Sequence, residues 1–154
     1  METVFKPFGL ILGESTEEDV IEMVRELGGQ IAEVNTLDFE ENVMLVGTGL
    51  PCVEGISPED YKPAFTHYFV RTNRLIAIFI RFPISDAYSA FDPFFQALQN
   101  YHGLPTHKGD HGQQCSWKDE NQLLHLNVKQ EEVEVVFLKS GVSFPHWEDS
   151  GFDD

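Results

Sequence analysis

Basic residues, cysteines and long apolar runs are all scarce in this 154-residue chain. Ten Lys and Arg stand against 26 Asp and Glu, a formal net charge of −16. A chain so charged repels phosphate, which argues against direct binding of nucleic acid or of an anionic membrane. Two cysteines, Cys52 and Cys115, do not make a disulfide framework. In a reducing compartment both are thiols. The longest purely apolar run, "LIAIFI" at 75–80, is far too short to span a bilayer. The start, "METVFKPFGLILGES", has one Lys, a broken apolar run and no small-residue cleavage site. It reads as no signal peptide, and the expected location is the cytoplasm. Nor is there a G-x-S-x-G elbow, a G-x-x-x-x-G-K phosphate cradle or a G-x-G-x-x-G fingerprint. No strong catalytic or cofactor signature remains.

What the chain does have is enough apolar material for one core. Hydrophobic residues make up 42%, with 13 Phe, so a single folded domain is expected and disorder is not. The stretch "LGESTEEDVIEMVRELGG", Leu12 to Gly29, predicts a first helix. Ser15 with Glu18 fits a capping box, and Glu17, Glu18 and Asp19 lie where the helix dipole favours negative charge. Val20, Ile21, Val24 and Leu27 form the apolar stripe, and Gly28-Gly29 stops the helix. Glu18, Glu22 and Glu26 then line an outward face, relieved by Arg25.

From Gln30 the pattern turns to strands, at "QIAEV" and "ENVMLVGTGL". A polar insertion, "PCVEGISPEDYKPA", precedes "FTHYFVRT" and "RLIAIFIRF", a hairpin turning near Thr72-Asn73. The second of these is apolar on both faces and reads as a central, covered strand. Next comes a helix in "FDPFFQALQNYHGLP": Asp92 can cap, Pro93 suits the first position, and Gly103 and Pro105 end it. An extra turn from Ser85 to Ala90 can precede it, and its stripe is Phe94, Phe95, Leu98 and Tyr101. After a Gly/His-rich turn and "SWKDEN", two strands follow around Lys129-Glu131. Leu124, Leu126 and Val128 are expected to face the core with Val133, Val135 and Phe137, leaving Glu132 and Glu134 to water. The fold class is α+β: two helix-plus-antiparallel-strand repeats forming one sheet with helices packed on one face. Residues 1–141 make one domain of two similar halves, about 1–83 and 84–141, and residues 142–154 an acidic C-terminal extension.

"FGLILGESTEEDVIEMVRELG" resembles the opening of the small repeats in the β-lactamase-inhibitor-protein and outer-membrane-assembly-lipoprotein (SmpA/OmlA) superfamily. Gly13, Ser15, Asp19 and Val20 carry the likeness; "ALQNYHGLP" resembles the helix exit of such repeats, followed by an aromatic-containing strand at Trp117. The likeness covers roughly residues 8–140 at the level of plan, on short motifs. It implies helices on one face of an antiparallel sheet, whose opposite face is a platform for another protein. Members mostly bind or inhibit proteins and are not enzymes. Those relatives are exported, and the inhibitor's repeats are internally disulfide-bonded, whereas here Cys52 and Cys115 lie in different halves.

Two constellations could carry function. The loop "HGLPTHKGDHGQQC" offers His107, His111 and Cys115 as ligands for zinc or another transition metal, or Cys115 as a nucleophile. It lacks the paired short-spaced ligands of a zinc signature, and its ordinary reading is a polar loop with incidental histidines, no cofactor being required. The acids are the other: Glu18, Glu22 and Glu26 on the first helix, Glu59 and Asp60 beside Tyr61 in the insertion, and the acids around Trp147 in the tail. Aromatic anchors ringed by charge suit an interface with a basic protein. The function expected is that of a non-enzymatic protein-binding module, an inhibitor or immunity-type antagonist. The alternatives are a small metal-dependent or thiol enzyme and an acidic mimic of nucleic acid. Plain solubility accounts for the acidity equally well.

Overall fold

A computed structural model describes residues 9–36, 42–48, 66–108, 114–118, 122–129 and 131–140. Its elements run α1 (Glu17–Glu26), β1 (Gln30–Thr36), β2 (Asn42–Thr48), β3 (Thr66–Arg71), β4 (Arg74–Pro83), α2 (Ala87–His102), β5 (His107–Lys108), β6 (Gln114–Lys118), β7 (Gln122–Lys129) and β8 (Glu132–Lys139). The fold is α+β, with the strands in one open antiparallel sheet of order β1-β2-β3-β4-β8-β7-β6-β5.

Helix α1 starts one residue later than Ser15 predicts. Thr16 is the N-cap: its Oγ1 accepts from the Asp19 N–H at 3.3 Å, and the Asp19 carboxylate accepts from the Thr16 N–H at 2.9 Å. Ser15 is committed elsewhere, its Oγ accepting from the Ile11 N–H at 2.9 Å. The capping box is real but shifted, because Ser15-Thr16 offers two adjacent hydroxyls to the same signal. Val20, Met23 and Val24 are buried and Ile21 is partly so, while Leu27, at the C-cap, is exposed.

The β3–β4 hairpin turns at Thr72 (φ 50°) and Asn73 (φ 55°). Positive φ at both central residues gives the turn the strand twist it needs, and Asn tolerates that region better than most residues. Asn73 also accepts, through Oδ1, from the Glu17 N–H at 3.2 Å. One side chain therefore serves both the hairpin turn and an orphan donor of α1. Asn73→Ala is expected to cost about 1–2 kcal/mol in urea unfolding, more than a lost surface contact, because turn and cap fail together. Beside it, Gly13 donates to the Leu75 carbonyl and Leu75 to the Ser15 carbonyl, both at 2.7 Å. Gly13 (φ +88°) lies so close to the Lys139 side chain that a Cβ would sit 2.6 Å from its Cε.

Helix α2 begins before Asp92. It runs unbroken from Ala87 with Pro93 inside. The buried Ala87, Ala90, Phe94, Ala97 and Leu98 hold its early turns against the core, which offsets the hydrogen bond that Pro93 removes. Tyr101, expected in the stripe, is exposed. The aromatic-containing strand expected at Trp117 after this helix is β6, Gln114–Lys118.

β4 is central, as its two apolar faces predict, and its residues divide between two separate clusters, Ile76 and Ala77 both falling in the second where the register with β3 shifts. Leu75, Ile78, Ile80 and Phe82 join the main core with residues of both helices and with Leu124, Leu126, Val128, Val133, Val135 and Phe137. Ile76, Ala77 and Phe79 join Phe69, Val136 and Leu138 in a second cluster made of strand residues. This second face is the one expected to stand open as a platform. Its central side chains are buried, so it offers no free surface there.

Candidate functional site

The three acids predicted on the outward face of α1 are where the sequence puts them. Glu18, Glu22 and Glu26 are all exposed on the described helix, four residues apart. Helical geometry makes such side chains neighbours, about 6 Å apart. The apolar residues Val20, Met23 and Val24 turn the opposite side to the core, and Asn73 with the Leu75 backbone fixes the helix start. A row of carboxylates is thus held on a rigid element. Glu59, Asp60, Tyr61 and Trp147, the other candidate contact residues, fall outside the described residues, as does His111.

Of the proposed metal set, Cys115 alone has a described side chain. Cys115 is a buried thiol of the main core, in no disulfide, and its register partner is Lys108. His107 pairs with Ser116. Among the described residues no group of three or more His, Cys, Asp or Glu could hold a metal ion. The half-buried His102, at the end of α2, has its pKa pushed below the usual histidine value by burial.

A different polar grouping emerges from the register. Arg81, Glu134, Asn127 and Gln114 stand opposite one another on β4, β8, β7 and β6, forming a row across the second face. The Glu134 side chain, expected in water, is fully buried and accepts from Arg81 Nε at 3.0 Å, while the Arg81 side chain is 46% exposed. Gln114 Nε2 donates to Asn127 Oδ1 at 2.9 Å. One step along the strands, buried His125 faces buried Ser116. A carboxylate out of water needs a cationic or hydrogen-bonding partner, and Arg81 supplies one from the margin. The row joins strands by polar contacts on a face otherwise filled by Phe69, Phe79 and Val136. Sequence alternation could not flag it, because alternation assigns each residue a side but not whether that side is covered.

These features define a class: an α+β protein with an open antiparallel sheet, a charged helix and a polar row whose two middle members, Glu134 and Asn127, are buried. Comparison with protein-family models, curated proteins and solved structures finds no match to this chain. Among the described residues no helix is long and apolar enough to cross a membrane.

Proposed function

We propose that the protein is a non-enzymatic binding module for a basic protein partner, an antagonist of the inhibitor or immunity type. The observation that carries this is the exposed row Glu18, Glu22 and Glu26 on a helix locked at its start, in a chain of net charge −16. Such a field accelerates encounter with a cationic surface, and fixed geometry then selects among cations.

The finer architecture belongs to the same proposal. Two repeats, each a helix followed by strands, with both helices on one face, are the plan of the β-lactamase-inhibitor-protein and SmpA/OmlA superfamily. In support, α1 precedes β1–β4 as α2 precedes β5–β8, and the sheet order is symmetrical about the β4–β8 pair. Both helices also contribute side chains to the same buried cluster. Burial of the central side chains on the second face supports a binding surface on α1 in place of the sheet platform of that superfamily.

The test is affinity capture from native extract at low salt, followed by a salt gradient. The partner is expected to elute as the Debye length falls from about 10 Å to about 3 Å, that is between about 0.1 and 1 M salt. Glu18→Gln, Glu22→Gln and Glu26→Gln combined are expected to bring elution to lower salt, with the unfolding midpoint lowered only slightly by the loss of the Glu18 charge at the helix start. A partner that stays bound through the gradient, or is indifferent to the triple variant, overturns the reading. The carboxylate spacing is also close to that of phosphates along one nucleic-acid strand. Competition of the captured partner by duplex DNA or RNA would identify the mimic form of the same activity.

A further inference from the structure

The two ends of the sheet are built differently. Among the described residues β1 and β5 are its outermost strands. β5 is two residues long and includes Lys108, both of them devices that blunt an edge against pairing. β1 is seven residues long, "QIAEVNT", with no Lys, Arg or Pro. Its pairing with β2 shifts register between Ile31 and Glu33, and Glu33 to Thr36 are then in continuous register. In an antiparallel strand, alternate backbone N–H and C=O groups point away from the neighbour. Natural sheets usually blunt or cover such an edge, and among the described residues no strand lies on the outer side of β1.

The side chains agree. Val34 stands opposite fully buried Leu45 yet is itself 57% exposed, and Leu27, between α1 and β1, is 45% exposed. A further strand beside β1 would lay a cross-strand neighbour over Val34. Helix α1 packs against β1 and leads into it through Leu27–Gly29, so exposed Glu22 and Glu26 stand within its last turns. With −16 on each chain, a second copy is electrostatically the wrong occupant.

We infer that the outer edge of β1 takes up an extended, Lys/Arg-rich segment of the partner as an added strand, with an apolar residue seated over Val34. Backbone pairing supplies affinity in such additions, and alternate side chains supply specificity. This deepens the basic-partner reading and rests on it for the charge of the occupant.

The probe is a synthetic peptide alternating Lys and Val, compared with the same peptide N-methylated at alternate residues and with an alternating Glu–Val peptide. Expected are low-salt binding of the Lys–Val peptide alone, with slowed amide exchange at residues 32–36. N-methylation is expected to weaken it by about tenfold or more, since several backbone hydrogen bonds are lost at once. Val34→Glu separates the causes, because it makes the site more acidic while removing the apolar seat. Strand addition predicts weaker binding in Val34→Glu; attraction by charge alone predicts equal or tighter binding. Equal affinity of the N-methylated peptide, unchanged exchange in β1, or no peptide binding at low salt each overturn the inference. Salt-dependent peptide binding with an unperturbed β1 overturns the edge while leaving the basic-partner reading standing.

Discussion

Trp117→Ala is expected to cost about 3–5 kcal/mol and to lower the midpoint of thermal unfolding by roughly 10 °C. Trp117 is almost wholly buried in the main core, its ring centroid 6.1 Å from that of Phe95 on α2. Its indole Nε1 donates to the Gly103 carbonyl at 2.8 Å, where α2 ends. Truncation opens a cavity between β6 and α2 and strands a carbonyl at the helix terminus. Trp117→Phe keeps most of the ring volume but loses that donor, so it should cost much less than the alanine variant, with about 1 kcal/mol of the loss due to the hydrogen bond. Urea unfolding of both variants separates the terms. Equal costs would mean that the hydrogen bond, not the volume, holds α2 to the sheet. A loss of about one-fifth to all of an ordinary domain's stability of about 5–15 kcal/mol also makes Trp117→Ala a folding control, unsuitable for binding tests.

Arg81→Met is expected to cost about 2–3 kcal/mol, and the double variant Arg81→Met/Glu134→Leu much less. Removing Arg81 leaves the fully buried Glu134 carboxylate without its charged partner, the expensive way to break such a pair. Removing both groups relieves the desolvation cost of the carboxylate and fills the space with apolar atoms. Because Arg81 is half exposed, the single-variant cost falls below that of a wholly buried pair. Chemical denaturation of wild type, both single variants and the double variant gives the coupling. If the double variant is as unstable as Arg81→Met, Glu134 is held by its neighbours on β7 and β8 and Arg81 contributes little.

Local signals carried far along this chain. The paired hydroxyls and acids at 15–19 marked the start of α1 to within one residue, and Gly28, with φ +86°, sits where its stop was expected. Thr72-Asn73 announced the hairpin because few sequences tolerate two consecutive positive φ values. The apolar run of β4 announced a strand covered on both sides. Other features escaped. Pro93 reads as a helix start with at most a separate turn at 85–90 before it, yet burial of Ala87 and Ala90 makes that turn continuous with the helix. Leu27 and Tyr101 match the stripe by spacing but lie at helix ends beyond the core.

The candidate site divides along the same line. Glu18, Glu22 and Glu26 were legible because a helix with one apolar stripe must turn its remaining face to water. Glu134 was not, since the alternation that put Val133 and Val135 inward put Glu134 on a face whose covering is not written in β8. That β5 pairs with β6 so that the register partner of Cys115 is Lys108, with His107 opposite Ser116, was likewise not legible in the loop that holds them.

Short-range chemistry, then, was enough to decide the charge, the helices, the hairpin and the acid row, because caps, turns and amphipathic stripes involve residues within a few positions of one another. Which strands neighbour which, the burial of Glu134, the row from Arg81 to Gln114 and the exposed edge at Val34 came only from the assembled sheet. Those depend on register between segments tens of residues apart, where a one-residue slip exchanges the two faces.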